Sequence, residues 1–249
     1  ERKSFLVKAL DMNLAPLDAV VSLKLAIACR KLARDGHCST LAGQITVRHD
    51  QKSYWTAPLK DGFANVRQST VIRVSDKMEV LEGNEIPNPG MQFHLWIYKN
   101  RSDIKAIVHT HPPYASALSM TGRPLAVAHM DAAVFYGDCG HLKEWPGVPI
   151  ADEEGRLISE ALEDNRAVLL DNHGFLTVGA TLEEAVYLAV LFENAAQMQM
   201  IAEATGVVKP IKPGPAQEAH DFLLQAPVIN ATFNSWANEI LRLFPDVTS

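Results

Sequence analysis

The sequence predicts an α/β fold in which helices flank a mixed β-sheet, with further helices at the C-terminal end. Its 249 residues suffice for one domain with a sizeable core, and 47% apolar with 21% charged residues is a globular composition. Helix and strand patterns follow one another as helix, several strands, helix, strand, helix, strand pair and helix. Because this order is too irregular for a strict βαβ repeat, we expect a mixed sheet.

The N-terminal part of the chain combines a long helical pattern with a strand-rich stretch. Apolar residues at helical spacing predict a helix from about Leu17 to Asp35, which Gly36 ends. β-branched and aromatic residues between turn signals then predict several strands. The helical stripe consists of Val21, Leu25, Ala28 and Leu32, and the strand residues are Ile45, Val47, Tyr54, Trp55, Val71, Ile72, Val74 and Val80.

The rest of the chain predicts a buried strand over Ile104–His111, a loop-rich region over His129–Pro149 and a long helix. Thr181 and Glu184 form a capping box at the start of that helix, which is expected to end at Gly206. The other predictions are helices at Met91–Asn100, Ala115–Met120 and Glu153–Leu162 (capped by Asp152), strands at Ala167–Leu170 and Phe175–Val178, a linker marked by Pro210, Pro213 and Pro215, and two amphipathic helices after it.

Charge and cysteine content exclude several classes of function. The chain has 23 Lys and Arg against 29 Asp and Glu, and the net charge of −6 disfavours binding to nucleic acid or to an anionic membrane. Cys29, Cys38 and Cys139 lack C-x-x-C spacing, so we expect a reducing, cytoplasmic compartment.

No apolar run reaches the ~18 residues that span a bilayer. No glycine-rich phosphate-binding motif predicts a nucleotide cofactor.

Two histidines mark the end of the buried strand. His109 and His111 are two positions apart, so their side chains point to the same face. His173 follows another apolar strand, and Gly174 permits a turn that aims its ring inward. Three neutral imidazoles with open positions are typical of a catalytic Zn, Fe, Ni or Co site. An isolated His-x-His pair, such as His109 and His111 taken alone, is more often two half-exposed histidines at the end of a strand than a metal site. His37, His49, His141 and His220 are predicted on the surface.

Four segments resemble the class II aldolase and adducin family, the fold of fuculose-phosphate aldolase and ribulose-phosphate 4-epimerase. They are residues 41–48, Phe93-His94, residues 107–111 and residues 172–174, and the resemblance covers roughly residues 18–205. It implies a three-layer α/β/α sandwich around a mixed, largely antiparallel sheet, with a helical extension over residues 207–249. It also implies a homo-oligomer, a tetramer, with active sites between subunits. One divalent ion per subunit (Zn, Mn, Co or Fe(II)) is then held by His109, His111 and His173.

The positions that grip a phosphate in the sugar-phosphate members of this family differ here. They read Gly43-Gln44, Thr56-Ala57 and Asn88-Pro89, which removes several hydrogen-bond donors. We therefore expect a small, non-phosphorylated carboxylate as substrate, bound by Gln44, Thr56, Asn88 and, from Phe93-His94, by His94. The alternative is that these are turn residues and that His94 serves packing.

The proton-transfer groups of the aldolases are also changed. Gly90 stands where they place a general base, and Met130 stands where they place a Tyr. Asp131 matches a catalytic Asp that the epimerase supplies across its subunit interface, so Asp131, with the neighbouring His129, is the candidate acid. The alternative for Asp131 is a loop residue with local hydrogen bonds.

Three functions compete on these residues. A metal-dependent carbon–carbon lyase is favoured, either a decarboxylase or an aldolase of a hydroxy-aromatic or 2-oxo acid. A decarboxylase needs an acid and no base, which suits Gly90 with Asp131. The alternatives are a non-haem Fe(II) oxygenase acting on an aryl pyruvate and a non-catalytic adducin-like domain.

Overall fold

The computed structural model describes residues 16–37, 42–147 and 152–249. Leu41, Cys38 and Pro149, on which parts of the predictions fall, lie outside these ranges. The strands of the described residues are β1 (Gln44–Arg48), β2 (Ser53–Thr56), β3 (Ile72–Ser75), β4 (Val80–Glu82), β5 (Ala106–Thr110), β6 (Cys139–Leu142), β7 (Ala167–Leu170) and β8 (Gly174–Gly179).

These strands form one sheet in the order β4-β3-β2-β1-β5-β8-β7-β6. All neighbours are antiparallel except β6 and β7, which are parallel. The prediction of a mixed, largely antiparallel sheet is therefore confirmed. β5 lies near the middle of the sheet, and every one of its residues is buried, as expected for a strand covered on both faces.

Helices cover both faces of the sheet, which makes the three layers. In the described part of the chain they are α1 (Val21–Arg34), α2 (Gly62–Asn65), α3 (Gln92–Asn100), α4 (Pro113–Ser119), α5 (Asp152–Leu162), α6 (Leu182–Glu203), α7 (Pro213–Leu223) and α8 (Ala226–Leu243). Five 3₁₀ turns also occur in these ranges, and two of them, Pro89–Met91 and Met130–Phe135, contain Gly90 and Asp131. None of the described helices is both long enough and apolar enough to cross a bilayer.

Each face of the sheet has its own apolar cluster. On the face that we call the α3 face, Ile107 and Leu176 pack with residues of α3 and α5. On the opposite face, the α6 face, Val108 and Phe175 pack with residues of α1, α6 and α8. Because side chains alternate along a strand, successive residues of β5 supply the two clusters in turn.

Several local predictions were wrong. Cys139–Leu142 is strand β6, although the sequence predicted loop there. Pro213 and Pro215 lie in the first turn of α7, where proline is tolerated, and do not mark a linker. The first helix begins at Val21, and the longest ends at Glu203 rather than Gly206.

The capping box was only partly right. The Thr181 side chain accepts from the Glu184 N–H at 3.1 Å, as expected. The Glu184 carboxylate accepts from the N–H of Ala180, one residue before the cap.

Candidate metal centre

Strand β5 and the turn before β8 bring the three predicted histidines together. His109 and His111 project from the end of β5 on the α3 face, and β8 returns beside β5 with Thr110 paired to Phe175. Asn172 supplies the left-handed turn, with φ of 57°, a conformation that Asn tolerates better than most residues. Gly174 is needed for a different reason, since a Cβ there would lie 2.8 Å from the Thr110 oxygen and 2.9 Å from Cδ2 of His111.

The three rings converge on one point. Their centroids are 4.7 to 4.8 Å apart, and the possible ligand nitrogens all lie within 4.8 Å of one another. The Nε2 atoms of His109 and His111 are 2.9 Å apart. His109 is buried and the other two are half-buried, so the cluster opens outward through His111 and His173.

A hydrogen bond orients one ring of the cluster, and burial favours the neutral form of all three. Nδ1 of His109 lies 2.7 Å from the carbonyl oxygen of Phe175, so Nδ1 carries the proton and Nε2 is bare. Burial lowers the pKa of all three histidines, His173 to about 4, and the neighbouring rings lower the pKa of His109 further. Three neutral imidazoles, one oriented by a carbonyl, fit the donor set of a catalytic divalent ion.

Among the predicted substrate residues, Gln44 lies nearest to this cluster in the sheet. It is paired with His109 in the register of β1 and β5, so both side chains point to the α3 face. The buried Thr56 hydroxyl donates to the Ile45 oxygen at 2.9 Å, and Oδ1 of Asn88 accepts from the N–H of Gly90 at 2.9 Å. Those two groups support the backbone around Gln44.

His94 is completely buried behind the cluster. Its Nδ1 lies 2.8 Å from the Thr46 hydroxyl, and burial lowers its pKa to about 3. The Phe93 ring contacts both His94 and His109, with centroid distances of 4.5 and 5.1 Å. This position favours a supporting role over direct contact with a substrate.

Asp131 lies in the 3₁₀ turn Met130–Phe135, and His129 is the residue directly before that turn. Nδ1 of His129 accepts from the Asp131 N–H at 3.3 Å, and the two side chains are 51% and 60% exposed. Within the described residues neither side chain bonds to His109, His111 or His173. Their catalytic role remains a prediction that depends on a second subunit.

Three other histidines that were predicted on the surface are covered. His37 is buried, not on the surface, with Nδ1 3.0 Å from the Thr110 hydroxyl. His141 is largely covered and bonds to Asp171 at 2.7 Å, and His220 is largely covered beside Asp138. Only His49 of that group is exposed as predicted. The sequence carries no local signal for these partners because each is more than 29 positions away.

Comparisons with known proteins place the chain in a family. The Class II Aldolase and Adducin N-terminal domain matches residues 23–200, so the chain belongs to the class II aldolase and adducin family. "Decarboxylase NovR" of Streptomyces niveus is 34% identical over 76% of this chain and 72% of its own. The "4-hydroxy-3-prenylphenylpyruvate oxygenase/4-hydroxy-3-prenylbenzoate synthase" of Streptomyces roseochromogenus subsp. oscitans is also 34% identical, over 78% of this chain and 72% of its own.

A solved structure shows the same fold. The L-fuculose 1-phosphate aldolase of Glaciozyma antarctica PI12 superposes with a TM-score of 0.85 at 30% identity, over 98% of this chain and 99% of that one. With aldolase and decarboxylase relatives and a histidine triad that can bind a metal, the chain is a lyase. The non-catalytic alternative is set aside.

Proposed function

We propose that the protein is a metal-dependent decarboxylase of a non-phosphorylated hydroxy-aromatic or 2-oxo carboxylic acid. The observation that carries the proposal is that the chain has a set of metal ligands but lacks a general base at the position where the aldolases have one. Three neutral imidazoles converge at His109, while Gly90 offers no group that can accept a proton. Such a site can stabilise negative charge on the substrate but has no general base at position 90. It therefore suits a reaction that begins with loss of carbon dioxide.

The residues of the proposed site have separate roles. His109, His111 and His173 hold the ion, and the Phe175 carbonyl fixes the tautomer of His109. When bound, a divalent cation supplies the Lewis acidity that stabilises the charge left on the substrate after the carbon–carbon bond breaks. Asp131 of a neighbouring subunit, with His129 beside it, delivers the proton to the product carbon. The site is completed only in a homo-oligomer, which we propose to be a tetramer located in the cytoplasm.

The relatives support this choice of reaction. One is named a decarboxylase, and another is named for a prenylphenylpyruvate and a prenylbenzoate, both aromatic acids. The phosphate-binding positions of the aldolases read Gly43-Gln44, Thr56-Ala57 and Asn88-Pro89 here, and the loss of two Ser hydroxyls at the last pair argues against a sugar-phosphate substrate.

Turnover of a substrate panel tests the proposal. Metal-free protein is reconstituted separately with Zn, Mn, Co and Fe(II) and assayed for carbon dioxide release from hydroxybenzoic and 2-oxo acids. We expect at least one acid to be decarboxylated only when metal is present. Activity that survives complete metal removal would contradict the proposal, and His109→Ala is the matched inactive control.

An oxygenase is the second candidate, favoured by the name of one relative. Imidazole ligands with open positions suit Fe(II) as well as Zn. Oxygen consumption by Fe(II)-loaded protein with aryl pyruvates distinguishes the two. Uptake that matches substrate loss supports the oxygenase, and product formation without oxygen supports the decarboxylase.

A further inference from the structure

The amide of Gln44 occupies the space in which a side chain at position 90 would stand. A Cβ built on Gly90 would lie 2.6 Å from Nε2 and 3.0 Å from Cδ of Gln44, and 3.2 Å from Oδ1 of Asn88. Position 90 therefore accepts no side chain while Gln44 keeps its place. The two residues, 46 positions apart, form a coupled pair.

The orientation of this amide is fixed by one hydrogen bond. Nε2 of Gln44 donates to the Ala42 carbonyl oxygen at 3.2 Å. A flipped amide would set its oxygen against the Ala42 carbonyl oxygen, so this hydrogen bond assigns the oxygen and the nitrogen of the amide. Gln44 is only 7% exposed, and its Oε1 is buried with no hydrogen-bond partner among the described residues.

A buried acceptor without a donor is uncommon because it costs the desolvation of the oxygen with no compensating bond. The position of this one is informative. Gln44 is directly opposite His109 in the sheet, and residues so paired have Cβ atoms about 5 Å apart on the same face. The side chain that carries the unpaired oxygen thus leaves the sheet beside His109, on the face where the histidine triad lies.

We propose that Oε1 of Gln44 accepts a hydrogen bond from a hydroxyl group of the substrate, and that Gly90 makes this possible by leaving room for the amide. The pair then selects a hydroxylated carboxylic acid over one without the hydroxyl. An additional anionic group would meet a carbonyl oxygen and be repelled. This inference rests on the proposed carboxylic-acid substrate and narrows it to the hydroxylated class.

Binding of simple aromatic acids tests the assignment without turnover. Zn-loaded protein is titrated calorimetrically with benzoate and with 2-, 3- and 4-hydroxybenzoate. We expect at least one hydroxybenzoate to bind about tenfold more tightly than benzoate, the effect of one hydrogen bond. Gln44→Met, which keeps the length but removes the acceptor, should bring that ratio close to one while benzoate still binds.

Gly90→Ala provides an independent variant. The added Cβ meets the flexible end of Gln44, so the amide moves while the fold is kept. We expect the hydroxyl preference to fall in Gly90→Ala, and to show no further change when Gly90→Ala is added to Gln44→Ala. Gly214→Ala, where a Cβ would meet nothing within 4 Å, is the matched control.

The outcomes separate this inference from the proposed function. Benzoates that bind with no hydroxyl preference, or a preference that survives in Gln44→Met, would overturn the role of Gln44 and leave the carboxylate site standing. Metal-loaded protein that binds no carboxylate at all would overturn the proposed substrate and, with it, this assignment.

Discussion

The carboxylate of Glu193 accepts a hydrogen bond from the main-chain N–H of Tyr114 at 2.9 Å. Its second oxygen accepts from the N–H of Ala115 at 2.8 Å. These N–H groups belong to the first turn of α4, where the N-cap residue is Pro112 and no side chain of α4 caps the helix. A buried acid on α6 thus replaces the missing cap and fixes the chain just after His111.

Glu193→Gln is expected to weaken both the fold and the metal site. The amide presents an NH₂ to one of the two N–H groups, so a buried donor loses its partner, at a cost of about 1–3 kcal/mol in the free energy of unfolding. Metal affinity should fall as well, because the segment that follows His111 is less firmly held. Denaturant unfolding of the metal-free protein and calorimetric metal titration measure the two effects. Glu160→Gln, at an exposed ion pair with Arg156, is the control, and equal effects of the two changes would contradict the prediction.

The buried His37 is expected to make stability fall on acidification. Burial, followed by the charge of Lys31, lowers the pKa of His37 to about 3, whereas an unfolded histidine titrates near 6.5. As the pH falls from about 6.5 towards 3, the unfolded chain takes up a proton that the native chain does not. The free energy of unfolding should therefore drop by roughly 1.4 kcal/mol per pH unit from this group, with no contribution above about pH 6.5.

His37→Asn isolates that contribution. The Asn amide can keep the hydrogen bond to the Thr110 hydroxyl but does not titrate. Urea unfolding of metal-free protein between about pH 7 and pH 5 should give a shallower dependence for His37→Asn than for the parent chain. His49→Asn, at an exposed position, is the control. Identical slopes for the parent and His37→Asn would show that His37 does not contribute.

Local patterns predicted the centre of this protein well. β5 is buried, His109 lies in it and His111 directly after it, and the i, i+2 spacing alone places both rings on one face. Asn172-His173-Gly174 was also a local signal, although the reason for the glycine is not the one predicted. Asn172 adopts the left-handed conformation, and Gly174 is required by the close approach of Thr110 and His111. That approach belongs to the tertiary structure and cannot be read from the sequence.

The environments that the sequence did not predict share one physical origin. Cys139–Leu142 contains Gly, which is depleted in strands, and it becomes a strand because β7 pairs with it in parallel. His37 resembles a surface residue after a helix stop, yet Thr110 and Phe175 enclose it. The unpaired oxygen of Gln44 depends on the rotamer that Gly90 allows. In each case a partner far along the chain decides the environment.

Strand β6 gives a steric prediction. A Cβ at Gly140 would overlap the carbonyl oxygen of Ala161 on α5, and a backbone atom cannot turn aside as a side chain can. Gly140→Ala should lower the free energy of unfolding by about 1–3 kcal/mol or more. Gly214→Ala, in the first turn of α7 with open space around it, should be neutral or stabilising by up to about 1 kcal/mol. Thermal and denaturant unfolding measure both, and a tolerated Gly140→Ala would mean that α5 can move away from β6.

The last prediction concerns the division of the site between subunits. Asp131 is exposed on its 3₁₀ turn and, within the described residues, bonds to none of the three histidines, so we expect another copy of the chain to present it to the triad. Asp131→Asn should keep its metal and its assembly but lose about 10²–10⁴-fold in turnover, the usual contribution of a general acid. His109→Ala should lose metal and turnover together, because the ligand oriented by Phe175 is gone. Metal analysis and the decarboxylase assay separate the two effects.

Mixed oligomers provide the decisive measurement. When inactive Asp131→Asn protein and inactive His109→Ala protein are dissociated and reassembled together, some sites join an intact histidine triad from one chain to an intact Asp131 from its neighbour. Those sites should turn over, and each variant treated alone should stay inactive. Native mass spectrometry verifies that hybrids have formed. Hybrids without recovered activity would mean that triad and acid are not shared across the interface, and another group would then have to supply the proton.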